Sequence, residues 1–237
     1  MNKQFLNNID KILYSISAFS FILLICYIFG IFDFSYIQKS LIYFFTAFFS
    51  FFGSYTACLR QRKAERKYSI MKKTVIFLFV LYAAILIDFT LIDDSLGRNI
   101  RFIFSNPDQL KEYLDTNVNL LPFATIELFI KGYRLYNLSF SAVITNLLGN
   151  FLAFMPLAFF VPAFCKKLKN WYAFLGVVVL SVAAIEVLQL LLLTGSFDID
   201  DLILNSAGAL TAFGIIRIKA VSEKLSAVTF GVWKNGN

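Results

Sequence analysis

Asn146 and Asn150 stand four residues apart, Glu186 and Gln189 three apart, and Asp201 and Asn205 four apart, each pair within a strongly apolar run. At those spacings each pair shares one face of a helix. Gly208 extends the third face at i+7, and Asp88 adds a carboxylate near the end of another apolar run. The turn GSFDIDD places Asp198, Asp200 and Asp201 within four residues. A polar side chain in an apolar helix costs free energy unless it finds a partner, so each of these positions requires an account. Glu186, flanked by VAAI and VLQLLLL, demands one most strongly. Two accounts stay open for the amides: glue between helices, or contacts to a ligand. For the acidic turn, one or two carboxylates serve as caps of the following helix, where the dipole end is positive. The remainder are then available for chemistry. Glu186, Asp198, Asp200 and Asp201 are the candidate ligands for Mg²⁺ or Ca²⁺, which take oxygen donors, and one of them could act as a general base. No other cofactor is indicated.

Other chemistries are excluded by composition. The 237 residues contain no histidine, which removes Ser-His-Asp and Cys-His arrangements and His-ligated zinc. Cys26, Cys58 and Cys165 lie far apart in or beside apolar runs, so they read as small buried hydrophobes and not as a disulfide framework. There is no phosphate-binding loop, nucleophile elbow or zinc signature.

The elements that must carry these side chains are membrane helices. Fifty-nine per cent of the residues are hydrophobic and 16% charged, with mean hydropathy +0.71. A hydrocarbon core about 30 Å thick needs about 20 apolar residues per span. Six runs qualify: Ile12 to Phe32, Ile37 to Leu59, Thr74 to Ile92, Phe140 to Phe164, Trp171 to Thr194 and Leu202 to Ile218. The first resembles a secretory signal but is long and lacks a small-x-small cleavage site, so it is expected to be a retained helix. Between Asp93 and Ser139 the chain is mixed. Asn106-Pro107 is expected to cap a short helix DQLKEYL. Phe123, Ile126, Ile130 and Tyr133 repeat at helical spacing before a break around Gly132 and Asn137, the pattern of an interfacial helix. The expected fold is an all-α polytopic bundle of about six transmembrane helices, with short interfacial helices in the outer loop.

The net charge of +7 is distributed as a topological signal. Two bases precede the first span, seven lie between Arg60 and Lys73, three follow the fourth span, and four follow the sixth. By the positive-inside rule both termini are expected in the cytoplasm, and the aspartate-rich turn outside a multi-pass cell-membrane protein. Bases in short loops argue against nucleic-acid binding and for contact with membrane lipids. The expected organisation is a plain two-helix hairpin at 1–59, almost free of intramembrane polar groups, a basic cytoplasmic loop at 60–73, a four-helix membrane domain at 74–218, and a cytoplasmic tail at 219–237.

Over about residues 75–217 the chain resembles the VanZ-like family, membrane proteins named for a component linked to teicoplanin resistance. The resemblance is carried by NLLPFATI (Asn119 to Ile126), NLLGNFLAFMPL (Asn146 to Leu157), IEVLQ (Ile185 to Gln189) and FDIDDLILNSAGAL (Phe197 to Leu210). Ala158 departs from the pattern where many members have glycine. The resemblance adds Asn119 and Pro122 to a site comprising Asn146, Asn150, Glu186, Gln189, Asp198, Asp200, Asp201 and Asn205. It implies a cell-envelope protein associated with lower susceptibility to teicoplanin-type drugs. The polar groups at head-group depth among apolar helices point to an outward cleft that binds a lipid-linked wall component or a lipoglycopeptide. Two alternatives stay open: a membrane-embedded enzyme using a carboxylate-bound divalent cation on lipid-linked precursors, and a small transporter with Asp88 and Glu186 relaying protons.

Overall fold

The structure, a computed structural model, describes residues 3–93, 107–135 and 139–233. Its helices are α1 (Lys3–Ile28), α2 (Tyr36–Arg60), α3 (Ala64–Ile87), α4 (Pro107–Asn117), α5 (Ala124–Leu135), α6 (Phe140–Ala153), α7 (Leu157–Phe164), α8 (Trp171–Leu192), α9 (Ile199–Arg217) and α10 (Lys219–Val228). A π-helical turn, Asp88–Ile92, extends α3. Two very short strands, β1 (Val118–Asn119) and β2 (Phe197–Asp198), pair in parallel, Val118 opposite Phe197 and Asn119 opposite Asp198. Among the described residues six helical stretches are long and apolar enough to cross a membrane: Gln4–Ile28, Tyr36–Arg60, Ala64–Ile92, Val143–Phe164, Trp171–Leu192 and Ile199–Arg217. Between 17% and 39% of each apolar window is buried in protein, which leaves most of the surface of every span for lipid. The protein is therefore an all-α, multi-pass membrane protein. The chain divides into two compact units, Met1–Ile85 with Lys219–Asn235, and Leu86–Ile218.

In the first unit, α1 ends at Gly30, whose φ of +67° allows Ile31 N–H to reach back to the Cys26 carbonyl at 2.8 Å. Ser35 and Gln38 form a reciprocal capping box that starts α2. Thr46, Ser50, Gly53 and Ala57 repeat along one face of α2. These small side chains let α1 approach closely: a Cβ on Gly53 would sit 3.2 Å from the Tyr14 ring. Across this contact Ser17 Oγ and Ser50 Oγ are 2.5 Å apart, Tyr14 Oη and Ser54 Oγ 2.9 Å, and Thr74 Oγ1 donates to Ser54 Oγ at 2.6 Å. Asp10, buried, pairs with Arg60 at 2.6 Å. The hairpin is thus not the plain apolar one expected from composition. Hydroxyls escape a hydropathy count because they bond carbonyls of their own helix, as Thr46 does to Ile42 at 2.8 Å.

The basic stretch after α2 also differs from the loop expected at 60–73. α3 begins at Ala64, because Ala64, Glu65, Arg66, Lys67, Met71, Lys72 and Lys73 are good helix formers continuous with the apolar run. The tail includes the helix α10, where Trp233 Nε1 donates to the Ser222 hydroxyl at 2.9 Å in a fully buried contact.

In the second unit the fourth span is two helices instead of one. Pro156 has no N–H to give, and the chain tightens around it, with Met155 N–H on the Leu152 carbonyl at 3.2 Å and Leu157 N–H on Phe154 at 3.1 Å. Ala158, the position that departs from glycine, is fully buried in α7. α8 and α9 pack through Phe174 and Phe213, whose rings stack at 4.3 Å. Their connecting turn is short. Leu193 takes a left-handed conformation, φ +57°, and lets Thr194 N–H return to the Gln189 carbonyl at 2.9 Å. α5 continues through Gly132, where a break was expected; Asn106 and Asn137 lie outside the described residues.

Candidate functional site

The segment NLLPFATI and the turn FDIDD meet in the second unit. Leu121 to Ala124 form a tight turn closed by Ala124 N–H to the Leu121 carbonyl at 3.3 Å. Pro122 sits at its second position and Phe123 at its third, with φ +67°. That is the type II pattern, in which glycine usually occupies the third position. The turn feeds directly into α5, whose first N–H groups have no partner within the helix. Asp200 supplies one. Its fully buried carboxylate accepts from Phe123 N–H at 2.5 Å, Thr125 N–H at 2.8 Å and Ile126 N–H at 3.0 Å. An anion at this position also favours the positive end of the α5 dipole. Asp200, on the first turn of α9, is therefore a cap for a different helix.

Asp198 completes the same junction. As N-cap of α9 its Oδ1 accepts from Asp200 N–H at 2.9 Å and from Asn119 Nδ2 at 3.3 Å. Its Oδ2 accepts the Thr125 hydroxyl at 2.5 Å. Asn119 also donates to Thr125 Oγ1 at 3.0 Å and accepts Leu121 N–H at 3.1 Å. Glu186, buried in α8, accepts the backbone N–H of Asp198 at 3.2 Å. One partner of this intramembrane carboxylate is thus the peptide N–H between Phe197 and Asp198, within β2. Tyr113 Oη ties α4 to the same turn, donating to the Gly195 carbonyl at 2.7 Å; burial pushes its phenol up, so it stays a donor.

Asp201 faces the other way. Asn150 Nδ2 of α6 donates to Asp201 Oδ1, and Asn205 Nδ2 donates to the Asp201 backbone carbonyl at 2.7 Å. This contact lies where α6 and α9 pack closely, because a Cβ on Gly208 would fall on the Phe151 carbonyl, 2.7 Å from its carbon. The buried Asn146 Oδ1 and Asn205 Oδ1, on the faces that carry Asn150 and Asp201, accept no hydrogen bond among the described residues. Gln189 belongs to a third contact: its Nε2 donates to the Thr90 carbonyl at 3.1 Å, in the π-helical turn that begins at the buried Asp88. The widened turn loosens the intrahelical ladder there and leaves a carbonyl for α8 to engage.

Glu186, Asp198, Asp200, Asn119 and Thr125 are thus one connected junction; Asn150, Asp201 and Asn205 are a second cluster, and Gln189 stands with Thr90. Pro122 is exposed and shapes the turn. Among the described residues no group of three or more His, Cys, Asp or Glu is arranged to hold a metal ion. The oxygens of Asp198 and Asp200 already face N–H and O–H donors, which an ion would have to displace.

The family model of VanZ/LLP1 matches residues 76–220, more than half of the chain and all four of the segments that meet or flank this junction. The chain belongs to the VanZ/LLP1 family. No curated protein and no solved structure matches it. Within the VanZ/LLP1 region, two residues of the junction escaped sequence reasoning. Thr125 lies inside a recognised segment but looks like any helix-start threonine. Phe123 reveals its backbone conformation only once the turn is built. The positive φ at Phe123 has a measurable consequence. A non-glycine residue there costs roughly 1–2 kcal/mol, partly offset by glycine's greater freedom when unfolded. The ring is 61% exposed, so its removal sacrifices little burial. Phe123→Gly is expected to raise stability in detergent by roughly 0.5–1 kcal/mol, and Phe123→Ala is not. Thermal unfolding of both variants checks this, and a loss with glycine would show that the ring holds the turn.

Proposed function

We propose that this VanZ/LLP1 protein binds an amphiphile at the outer face of the cell membrane, a lipid-linked wall component or a lipid-tailed glycopeptide, and lowers susceptibility to teicoplanin-type drugs. The observation that carries the reading is the set of hydrogen-bonding atoms left without partners where α6 and α9 meet. Asn146 Oδ1 and Asn205 Oδ1 are buried, and two amide oxygens without donors favour a ligand rich in N–H and O–H groups, such as a sugar or peptide head. α5 packs against α6 and α9, and the segment around it exposes Leu121, Phe123, Leu128 and Tyr133. An acyl tail would lie along that surface.

The outward placement is supported by charge. Lys166, Lys167, Lys169 and Arg217 gather at one end of α8 and α9, and Arg217 donates to the Lys169 carbonyl at 2.7 Å. Burial, with Lys166 and Arg217 nearby, pushes the Lys169 ammonium down. The acidic turn is at the opposite end of both helices, whose 22 and 19 residues span about 30 Å at 1.5 Å per residue. Bases on the cytoplasmic side then put the aspartates outside.

The test is binding of teicoplanin, and of the same glycopeptide without its acyl chain, to the purified full chain. Asn146→Leu and Asp201→Asn are each expected to weaken binding of the tailed drug about tenfold, the equivalent of about 1.4 kcal/mol. Cells expressing either variant should regain susceptibility. A lipid-linked wall precursor is assayed in parallel, to show which amphiphile competes. Unchanged binding and unchanged susceptibility in both variants would remove the basis for the reading.

A further inference from the structure

The first unit contains a pocket of about 330 Å³ that the polar junction of the second unit does not use. Lys73 and the hydroxyl-bearing Tyr14, Ser50, Ser54 and Thr74 are among the residues that line it, and most of its wall is apolar. Ile70 and Phe77 supply apolar walls, and no carboxylate lines it. We propose that this pocket between α1, α2 and α3 binds the phosphate headgroup of an anionic membrane lipid, with Lys73 as the cationic contact and the hydroxyls as donors.

Three observations point to that chemistry. The first is depth. α3 begins at Ala64, and with the π-helical turn it forms a span of 29 residues, about 43 Å long and longer than a hydrocarbon core of about 30 Å. Its first turns therefore stand in the headgroup layer. Lys73 is the last base before the apolar stretch that starts at Thr74, so the pocket opens where phosphates lie. The second is charge. Lys73, exposed, is the one charged residue of the lining and favours an anion, and the neighbouring Lys72 and Lys67 enrich anionic lipid at this surface. The third is that the hydroxyl protons can be redirected. Thr74 Oγ1 donates to Ser54 Oγ at 2.6 Å and also lies 3.1 Å from the Ile70 carbonyl, an oxygen already engaged in the helix ladder. Ser17 likewise reaches the Thr46 carbonyl at 3.2 Å while contacting Ser50. With Thr74 donating to Ser54, turning the Ser17 proton from the Thr46 carbonyl to Ser50 leaves the Ser54 and Ser50 protons available to the pocket, at the loss of one side-chain bond to a helix carbonyl. The volume is at the lower end of the range of about 300–1,000 Å³ typical of ligand sites. It suits a headgroup, with the acyl chains outside along the exposed Ile76 and Val80.

The experiment measures thermal unfolding of the full chain in detergent, titrated with phosphatidylglycerol, with phosphatidylcholine of the same acyl chains, and with inorganic phosphate. Phosphatidylglycerol should raise the midpoint saturably, with phosphatidylcholine and inorganic phosphate ineffective at the same concentration. Lys73→Gln is expected to raise the half-saturating concentration about tenfold, as loss of one charge-assisted contact. Lys73→Arg should restore it, and Lys72→Gln should leave it unchanged. Thr74→Val, which keeps the shape and removes the hydroxyl, gives a second readout if a lysine variant folds poorly, and its half-saturation should also weaken. Equal losses in Lys72→Gln and Lys73→Gln would reduce the effect to general surface charge and overturn the site. An equal response to inorganic phosphate would overturn its assignment to a lipid. These outcomes are independent of glycopeptide binding in the second unit.

Discussion

Gly208→Ala is expected to be the most damaging single-atom change in the second unit. The added Cβ meets the backbone carbonyl of Phe151, not the end of a flexible side chain, so no rotamer change relieves the clash. α6 and α9 must separate. Overpacking a core usually costs about 1–3 kcal/mol, and a backbone obstacle belongs at or above the upper figure. For a chain of this size that corresponds to a fall in unfolding midpoint of roughly 6 °C or more. Separation would also break the contact between Asn150 and Asp201, so the proposed glycopeptide binding should fall together with stability. Gly149 and Gly214, which have open space where a Cβ would go, are the internal controls. Alanine at either is expected to raise the midpoint by about 2–4 °C, the gain of about 1 kcal/mol that alanine brings over glycine in a helix interior. A Gly208→Ala protein that melts with the wild type would mean that the two helices do not cross at this residue.

Asp200→Asn is the second large effect, and it should be local. The carboxylate accepts three backbone N–H groups while fully buried. Asparagine keeps one acceptor oxygen and turns an NH₂ group towards donors it cannot satisfy. Each buried donor left unpaired costs about 1–3 kcal/mol, and the loss of a charged acceptor adds to that. A total of roughly 2–5 kcal/mol is expected, drawn from the docking of α5 onto the α9 start and not from the membrane spans. Hydrogen exchange resolves the difference. The amides of Phe123, Thr125 and Ile126 should lose protection, and the turn at 120–124 should become sensitive to protease, while amides within α8 and α9 keep theirs. Protection unchanged at those three amides would contradict the assignment of Asp200 as their acceptor. Asp198→Asn is predicted to be milder, because asparagine still caps α9: its oxygen keeps the Asp200 amide and Asn119, and the Thr125 hydroxyl can turn to accept from its NH₂ group.

These two results bear on how the acidic turn is understood. Three carboxylates in four residues suggested ligand or metal chemistry, and two of them prove to be committed to backbone and side-chain donors of the segment 119–126. Their commitment ties NLLPFATI to FDIDD in this chain: one supplies a strained turn with N–H groups that its own helix does not satisfy, and the other supplies the acceptors. Asp201 is set apart by its contact to Asn150, and the unpartnered oxygens of Asn146 and Asn205 are the groups the fold leaves open.

The amino-acid sequence alone determined the membrane class, the six spans, the helix faces that pair Asn146 with Asn150 and Asp201 with Asn205, and the family. All of these follow from hydropathy, periodicity and local motifs, which operate over a few turns of chain. Only the tertiary structure decided which donor each carboxylate serves, since Asp200 and its three amides are 74 to 77 residues apart and no local pattern links them. It alone also revealed the positive φ of Phe123, the break of the fourth span at Pro156, and the hydroxyl seam of the hairpin. In each of these, a polar group finds its partner, or a chain its bend, through contacts that depend on where helices cross.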